Sequence, residues 1–452
     1  MHCPEAHGSR HSPAQSAQPR LITTHHCSTS FRPLRRPSHS ALDLASGKFF
    51  VKMNAERVDD MQVTQTSSGA AASTAEDAFA AGAGAARAAT ESLDGAAARL
   101  VLVYSSVRYD LSQLLAGVRS ITGDVPLLGA TTAGHVVAGH YTAPGRGVAV
   151  MVLGGERYRF GVASAVGMAE APERVGEQLT TAARAGAGPV DTTHQHSAVL
   201  LLTDGLAGDG QRVLKGVHRV AGAAVPVVGG AAGDDRRMSA TAVFHDDQVL
   251  SDAAVGVWIS SPDPLLVTCA HGWLPVSAPE VITRAEGLVI HEIGGRPAAE
   301  VYGEHAVLGQ VGARLAEEGE SPASYALGVI EPDGSHAVRG VYPLPGGALG
   351  TFTSVEEFSA VQVVTADTEA VLATVEPVVA AAVAGLDRPR ALLAFDCIGR
   401  ADILGEAVHE EVAAMTAAAR GAEVFGFYSY GEFARSAGVG GTHNATLCAL
   451  AL

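Results

Sequence analysis

Residues 125–134 read VPLLGATTAG, and residues 225–234 read VPVVGGAAGD. In each string a short apolar run enters a glycine-containing loop of small residues. An unbroken apolar run of this length, bounded by glycine, predicts a strand buried on both faces. The flanks repeat as well. Ahead of the first string, residues 100–105 read LVLVYS, and Leu111, Leu114, Leu115 and Val118 follow at helical spacing. Behind it, residues 147–153 read GVAVMVL. The second string is framed by AVLLLTD at 198–204, a helical stretch at 213–220 and AAVGVWI at 253–259. A more divergent third copy closes the chain: ALLAFDC at 391–397, a helix over 404–419, AEVFGFYSYGE at 422–432 and ATLCALAL at 445–452.

Each copy thus runs strand, loop, helix, strand, glycine loop, strand. Apolar strands alternating with helices predict an α/β protein of repeated units, its buried sheets flanked by helices. Chance likeness among Ala-, Val- and Gly-rich strings is the competing explanation, and the shared order of elements argues for common architecture. Between copies two and three, residues 269–302 predict a hairpin turning at Gly294 and Gly295, then a helix opened by Pro297. The boundary between two lobes, 99–300 and 301–452, is placed there.

The 452 residues are 47% hydrophobic, enough for a sizeable core in two or three domains. Aromatics are only 5%, so Ala, Val and Leu must build that core. The net charge of −16 is unevenly spread: residues 1–58 hold 8 Lys+Arg and 3 Asp+Glu, the remainder 23 and 44. A folded part this acidic repels nucleic acid and anionic membrane surfaces. Cys3, Cys27, Cys269, Cys397 and Cys448 lie far apart, with no zinc-site spacing. Reduced thiols fit better than a disulfide scaffold. No run of about 18 uncharged apolar residues would span a bilayer, and no apolar signal core follows the N-terminal basic residues. A cytoplasmic location is expected.

Residues 1–95 are expected to form a disordered or poorly ordered tail. Residues 1–40 are rich in His, Ser, Pro and Arg, with Glu5 the one acid, and bury too little apolar surface to offset chain entropy. Three readings are open: a basic disordered tail, a transit-like peptide, or translation beginning at Met53. Residues 70–98, rich in Ala, read as a helix on the domain edge.

Several strings in this order resemble the F-box and intracellular signal transduction (FIST) family. LLTDG at 201–205, HGWLP at 271–275, VITRAEG at 281–287 and GGRPAAEVY at 294–302 join the two glycine strings in resembling the FIST N module. YALGV at 325–329, FDCIGR at 395–400, GFYSYGEF at 426–433 and HNAT at 443–446 resemble the FIST C module. The resemblance implies an intracellular sensory module that binds a small ligand such as an amino acid. It adds Asn444, from the HNAT string, to the ligand-binding set. No output domain is visible, so the signal would pass to a separately encoded partner such as a kinase or cyclase.

Beside that resemblance stand the residues themselves. Ligands of open α/β sheets gather at the carboxyl ends of strands. Three such ends should converge: Ser105, Asp204, and Asp396 with Cys397. Second-strand loops then bring Thr131, Thr132, Gly230, Asp234, Tyr428 and Glu432. Small residues let backbone N–H groups reach a carboxylate, and Asp204 or Glu432 would suit an ammonium group. Turns and caps use the same residue types. Arg400 offers a fork for a ligand carboxylate, or else an ion pair to Asp402 or Glu406. Cys397 with His443 could serve as nucleophile and base of a thiol enzyme; a small buried thiol is the alternative. No cofactor is expected, but the family resemblance keeps open a haem-binding nitric-oxide sensor, with His271 or His443 as axial ligand.

Overall fold

The structure, a computed structural model, describes residues 66–306, 324–436 and 439–452. The basic N-terminal stretch and the Met53 start lie outside them. The α/β class, with helix-flanked sheets in two lobes, is as predicted. Three six-stranded sheets form the body. In unit one, strands Ala98–Ser105 and Leu127–Thr131 lie parallel, and Val148–Gly154 closes antiparallel to the first. Unit two repeats this with His196–Thr203, Val227–Ala231 and Ala253–Ser261. Unit three repeats it with Ala391–Cys397, Glu423–Ser429 and Leu447–Ala451.

The repeat is longer than the sequence suggested. Each unit opens on an edge strand paired to its closing strand: Ser67–Ser73, Arg159–Val166 and Val267–Ala270. In unit three a nine-stranded sheet, built from residues 274–366, is inserted directly after that edge strand. Residue 300 lies inside this insert. Helices Thr368–Leu372 and Val375–Val383 then resume the unit.

Each unit also lends a hairpin to another. His135–Val137 and His140–Thr142 of unit one extend the sheet of unit three. Val243–His245 and Gln248–Leu250 of unit two extend that of unit one. Glu432–Ser436 and Val439–His443 of unit three extend that of unit two. The exchange is cyclic and leaves no unit complete alone. Inner faces of all three sheets share one core, where Tyr104 of unit one stacks on Phe425 of unit three at 4.7 Å. Outer faces lie under their own helices. The glycine of the repeated string marks a close approach. A Cβ at Gly129, Gly229 or Gly426 would fall 2.0, 1.8 or 2.3 Å from a carbonyl oxygen of the neighbouring strand, distances only glycine permits.

The expected tail to residue 95 is corrected from residue 66 onward. Ser67–Ser73 is a paired strand, and Ala78–Glu91 is a helix capped by the Asp77 carboxylate. Alanine is the best helix former, and here small size is also used. Cβ atoms at Gly82 and Gly117 would lie 2.3 and 2.2 Å from carbonyl oxygens of the opposing helix. The Ala-rich stretch expected to be a helix over 70–98 is one over Ala78–Glu91, in close helix–helix contact.

Candidate functional site

The second-strand loops of the three units do converge. Ala133 N–H donates to Tyr428 O at 2.9 Å, Gly233 N–H to Thr131 O at 2.9 Å, and Tyr430 N–H to Ala231 O at 3.1 Å. This ring of bonds passes through all three units. Thr131 sits in it, its hydroxyl donating to Ala242 O at 3.3 Å. Thr132 is buried, and its hydroxyl has no partner among the described residues. Ser105 is fully buried and bonds locally to Ser106 O. Gly230 pairs with Glu432 across the exchanged hairpin, and a Cβ there would meet Ser429 Cβ at 3.0 Å.

The acids of unit two are taken up by backbone. Asp204 accepts from Leu206 N–H at 2.9 Å, Asp252 N–H at 2.7 Å and the Thr241 hydroxyl. Asp234 accepts from the N–H groups of Met238, Ser239 and Ala240 at 2.6–2.9 Å and from Tyr430 Oη at 2.5 Å. Burial raises the Asp234 pKa, but these donors outweigh it and hold the carboxyl below its ordinary value. They pin a loop in which Asp235, Arg236 and Met238 all have positive φ.

Unit three holds its acids differently. Arg400 is fully buried, against the expectation of an open fork. Its Nε lies 2.9 Å from Asp396 Oδ1, and its Nη2 donates to Glu411 Oε1 at 2.5 Å. The Tyr428 hydroxyl donates to Glu411 Oε2 at 2.8 Å. The sequence pointed to Asp402 or Glu406 instead; Asp402 pairs with Arg236 at 2.6 Å. Two carboxylates face one cation here, and burial, with Glu411 alongside, pushes the Asp396 carboxyl well above its usual range. Glu432 is also buried. It accepts from the Ser429 hydroxyl at 2.5 Å and from Thr446 N–H at 3.2 Å. Burial pushes its pKa up to about 8, so it holds a proton at neutral pH.

Cys397 faces this glutamate rather than His443. Burial first and Glu432 second push its thiol up. A raised thiol is a poor nucleophile, and the backbone N–H groups of Gly399 and Ala445 offset only part of that rise. Asn444 joins unit three to the insert, accepting from Gly340 N–H at 3.2 Å through Oδ1.

A cavity of about 460 Å³ opens nearby. Its walls come from the edge strand Val267–Ala270 with His271, the turn from Glu331 to His336 in the insert, and Ala434, Arg435 and His443 of the hairpin. Asp333 accepts from the Ser335 hydroxyl and backbone, which hold its carboxyl below the ordinary value. Burial lowers the pKa of both His271 and His443 to about 4, so both rings are neutral. His443 Nε2 lies 3.2 Å from Ala434 O, and its Nδ1 has no partner among the described residues.

Comparison with known proteins now bears on this geometry. Residues 99–296 match the FIST N domain and residues 298–435 the FIST C domain. The chain belongs to the FIST family. FIST domains are sensory and signalling modules. An uncharacterised protein of Mycobacterium tuberculosis is 28% identical over 232 residues, 49% of this chain and 59% of that protein. One from Mycobacterium bovis is 38% identical over 71 residues, 16% of this chain and 18% of that one. The chain therefore spans about three fifths of the length of the first of these relatives. Two solved structures of cyanuric acid hydrolase, one from A. caulinodans, cover 85% of this chain and 99% of their own at 10% and 11% identity. Their TM-scores of 0.31 and 0.32 are too low to carry an argument.

Within the FIST architecture, the FIST N match spans most of units one and two and enters the insert. The cavity draws on both matched segments, residues 267–272 from the FIST N part and residues 331–336 with Ala434 and Arg435 from the FIST C part. It unites His271 and His443, the two haem candidates, but of the two only His443 keeps an unengaged ring nitrogen among the described residues, Nδ1. His271 Nδ1 accepts from Trp273 N–H at 2.9 Å, which places the proton of the neutral ring on Nε2. His443 Nε2 is engaged by Ala434 O, which leaves only Nδ1. With the acids Glu331 and Asp333 also in the wall, the residues present do not fit a haem. Among the described residues no group of three His, Cys, Asp or Glu could hold a metal ion. Sequence reading missed Asp333, His336 and Arg435, which sit in no motif. The one available signal was Asp333 in the turn string EPDGS.

Proposed function

We propose that this FIST protein binds a small zwitterionic metabolite, an amino acid or a close relative, in the cavity between its third unit and its insert. The carrying observation is the lining of that cavity: an ionised Asp333, the Arg435 guanidinium and two neutral imidazoles, His443 buried and His271 partly so. Asp333 suits an ammonium group, and the Arg435 cation in the same wall suits a carboxylate. His443 Nδ1, without a partner among the described residues, is open to one further hydrogen bond from or to the ligand. The four ligand-binding charges expected from sequence, Asp204, Asp234, Arg400 and Glu432, hold the surrounding frame instead.

Body and insert both contribute walls, so a ligand bridges them. Occupancy shifts their closure only as far as the ligand binds the two states unequally. A separately encoded kinase or cyclase would read that change. A cytoplasmic location accompanies this reading, and among the described residues no helix is long and apolar enough to cross a membrane.

The test is thermal unfolding of the full chain against a panel of amino acids and related acids. Ligand at 100 times its dissociation constant stabilises by about 2.7 kcal/mol. Asp333→Asn and Arg435→Ala should each abolish the shift of any hit. An unchanged shift in both variants, or no shift across the panel, overturns the assignment.

A further inference from the structure

We propose that Cys269 and Cys448 are a peroxide-reactive thiol pair that closes to a cross-strand disulfide at the cavity wall. The two are direct register partners on the antiparallel strands Val267–Ala270 and Leu447–Ala451. Such partners project to the same face, with Cα atoms about 4.5 or 5.5 Å apart. Both separations fall within the roughly 4.4–6.8 Å that a disulfide bridges. The side chains already share a hydrogen bond. No strand has to move for the sulfurs to meet.

The pair is asymmetric in the way a redox couple requires. Cys269 is exposed and lines the cavity, so an oxidant can reach it. The hydrogen bond from Cys448 holds the Cys269 thiol below its ordinary pKa, which favours the reactive thiolate. Cys448 is buried, and burial pushes its thiol up. Cys269 is therefore the attacking sulfur and Cys448 the resolving one.

With hydrogen peroxide as oxidant, the Cys269 thiolate attacks one peroxide oxygen. An S–O bond forms and the O–O bond breaks. The departing hydroxide takes up the proton released when the thiolate formed and leaves as water, and Cys269 becomes a sulfenic acid. Cys448 then attacks the Cys269 sulfur. The S–S bond forms, the S–O bond breaks, and a second water leaves with the Cys448 proton. Two thiols lose two electrons together, and one peroxide becomes two waters. A dithiol reductant reverses the change. Cys397 provides an internal control, since it is buried against Glu432 with its thiol pushed up.

The pair does not depend on which ligand fills the cavity. The full chain is titrated with hydrogen peroxide, then alkylated and mapped by peptide mass spectrometry without reduction. The expected result is a Cys269–Cys448 peptide pair lighter by two hydrogens, lost on adding dithiothreitol. In Cys448→Ser, a 1,3-dicarbonyl probe should label Cys269 as the sulfenic acid. In folded wild-type protein, both thiols remaining fully alkylatable after peroxide would overturn the proposal. So would Cys269 crosslinking to any cysteine other than Cys448.

Discussion

Units two and three present the same backbone frame and use their acids in opposite ways. The paired glycines set the equivalence: Gly229 lies against Leu201 and Gly426 against Ala394. Thr203 then corresponds to Asp396, Asp204 to Cys397, and Ala231 to Tyr428. In unit two, residues 232–242 separate the second strand from the exchanged hairpin, and that loop offers many N–H donors. Asp234 is satisfied by them, and Asp204 takes the Thr241 hydroxyl from the same loop together with the N–H groups of Leu206 and Asp252. In unit three the same connection is only residues 430 and 431. Few amides are available, so the acids turn inward, to a guanidinium, hydroxyls and a retained proton. Loop length, not acid count, decides whether these carboxylates organise a loop or build a buried network.

The sharpest break of this comparison is Arg400→Ala. It leaves Asp396 and Glu411 buried without their cation. Removing one partner from a buried ion pair costs about 3–5 kcal/mol, which a urea titration with far-UV circular dichroism would read. A triple variant, Arg400→Met with Asp396→Asn and Glu411→Gln, should regain much of the loss, because no buried charge remains. A single variant as stable as wild type would show that the network is not held by its charge.

The retained proton of Glu432 gives the next effect. Its folded pKa, about 8, lies above its ordinary 4.5. Between those values the folded state binds more protons than the unfolded one, so stability falls as pH rises. The contribution is full below about 4.5 and gone above about 8. A displacement of this size corresponds to a few kcal/mol. Glu432→Gln keeps the shape and removes the titration. Its stability should fall less than that of wild type between pH 6 and pH 8.5; parallel profiles would remove Glu432 as the cause. Asp396 titrates with the same sign, so some slope remains in the variant.

The three repeated strand ends were legible because strands buried on both faces must be continuously apolar. The edge strand Ser67–Ser73 was not. SSGAAAS carries no pattern of its own, and it is a strand because Val148–Gly154 lies beside it. The hairpin exchange was equally hidden, since strands of three residues such as His135–Val137 leave no periodicity to read. At the site, sequence found Arg400, Tyr428 and Glu432 but assigned them to a ligand. Their true partner Glu411 lies on the helix Val408–Ala418, where it reads as one more helix acid. Burial, which turns these groups into a network, is a property of the packed units and of no single string. The cavity was illegible for a related reason, because its walls are assembled from three segments far apart in sequence.

The smallest effect comes from the unit-two side of the comparison. Asp234→Ala strips the acceptor from three backbone N–H groups and from Tyr430 Oη. Those donors sit beside solvent-reachable loop positions, since Asp235 is only partly buried and Arg236 to Ala240 are exposed. Water replaces part of what is lost, which separates this variant from Arg400→Ala. The expected cost is about 1–3 kcal/mol. Hydrogen exchange locates it: amides of Met238, Ser239 and Ala240 should lose protection, and those of Ala391–Cys397 should not. The positive φ angles at Asp235, Arg236 and Met238 persist only while their surroundings over-determine them, so the loop should relax once its acceptor is gone. Equal loss of protection in the unit-three strand would mean that the ring of hydrogen bonds through Tyr430 couples the two units. The contrast between a local loop clasp and a buried network would then fail.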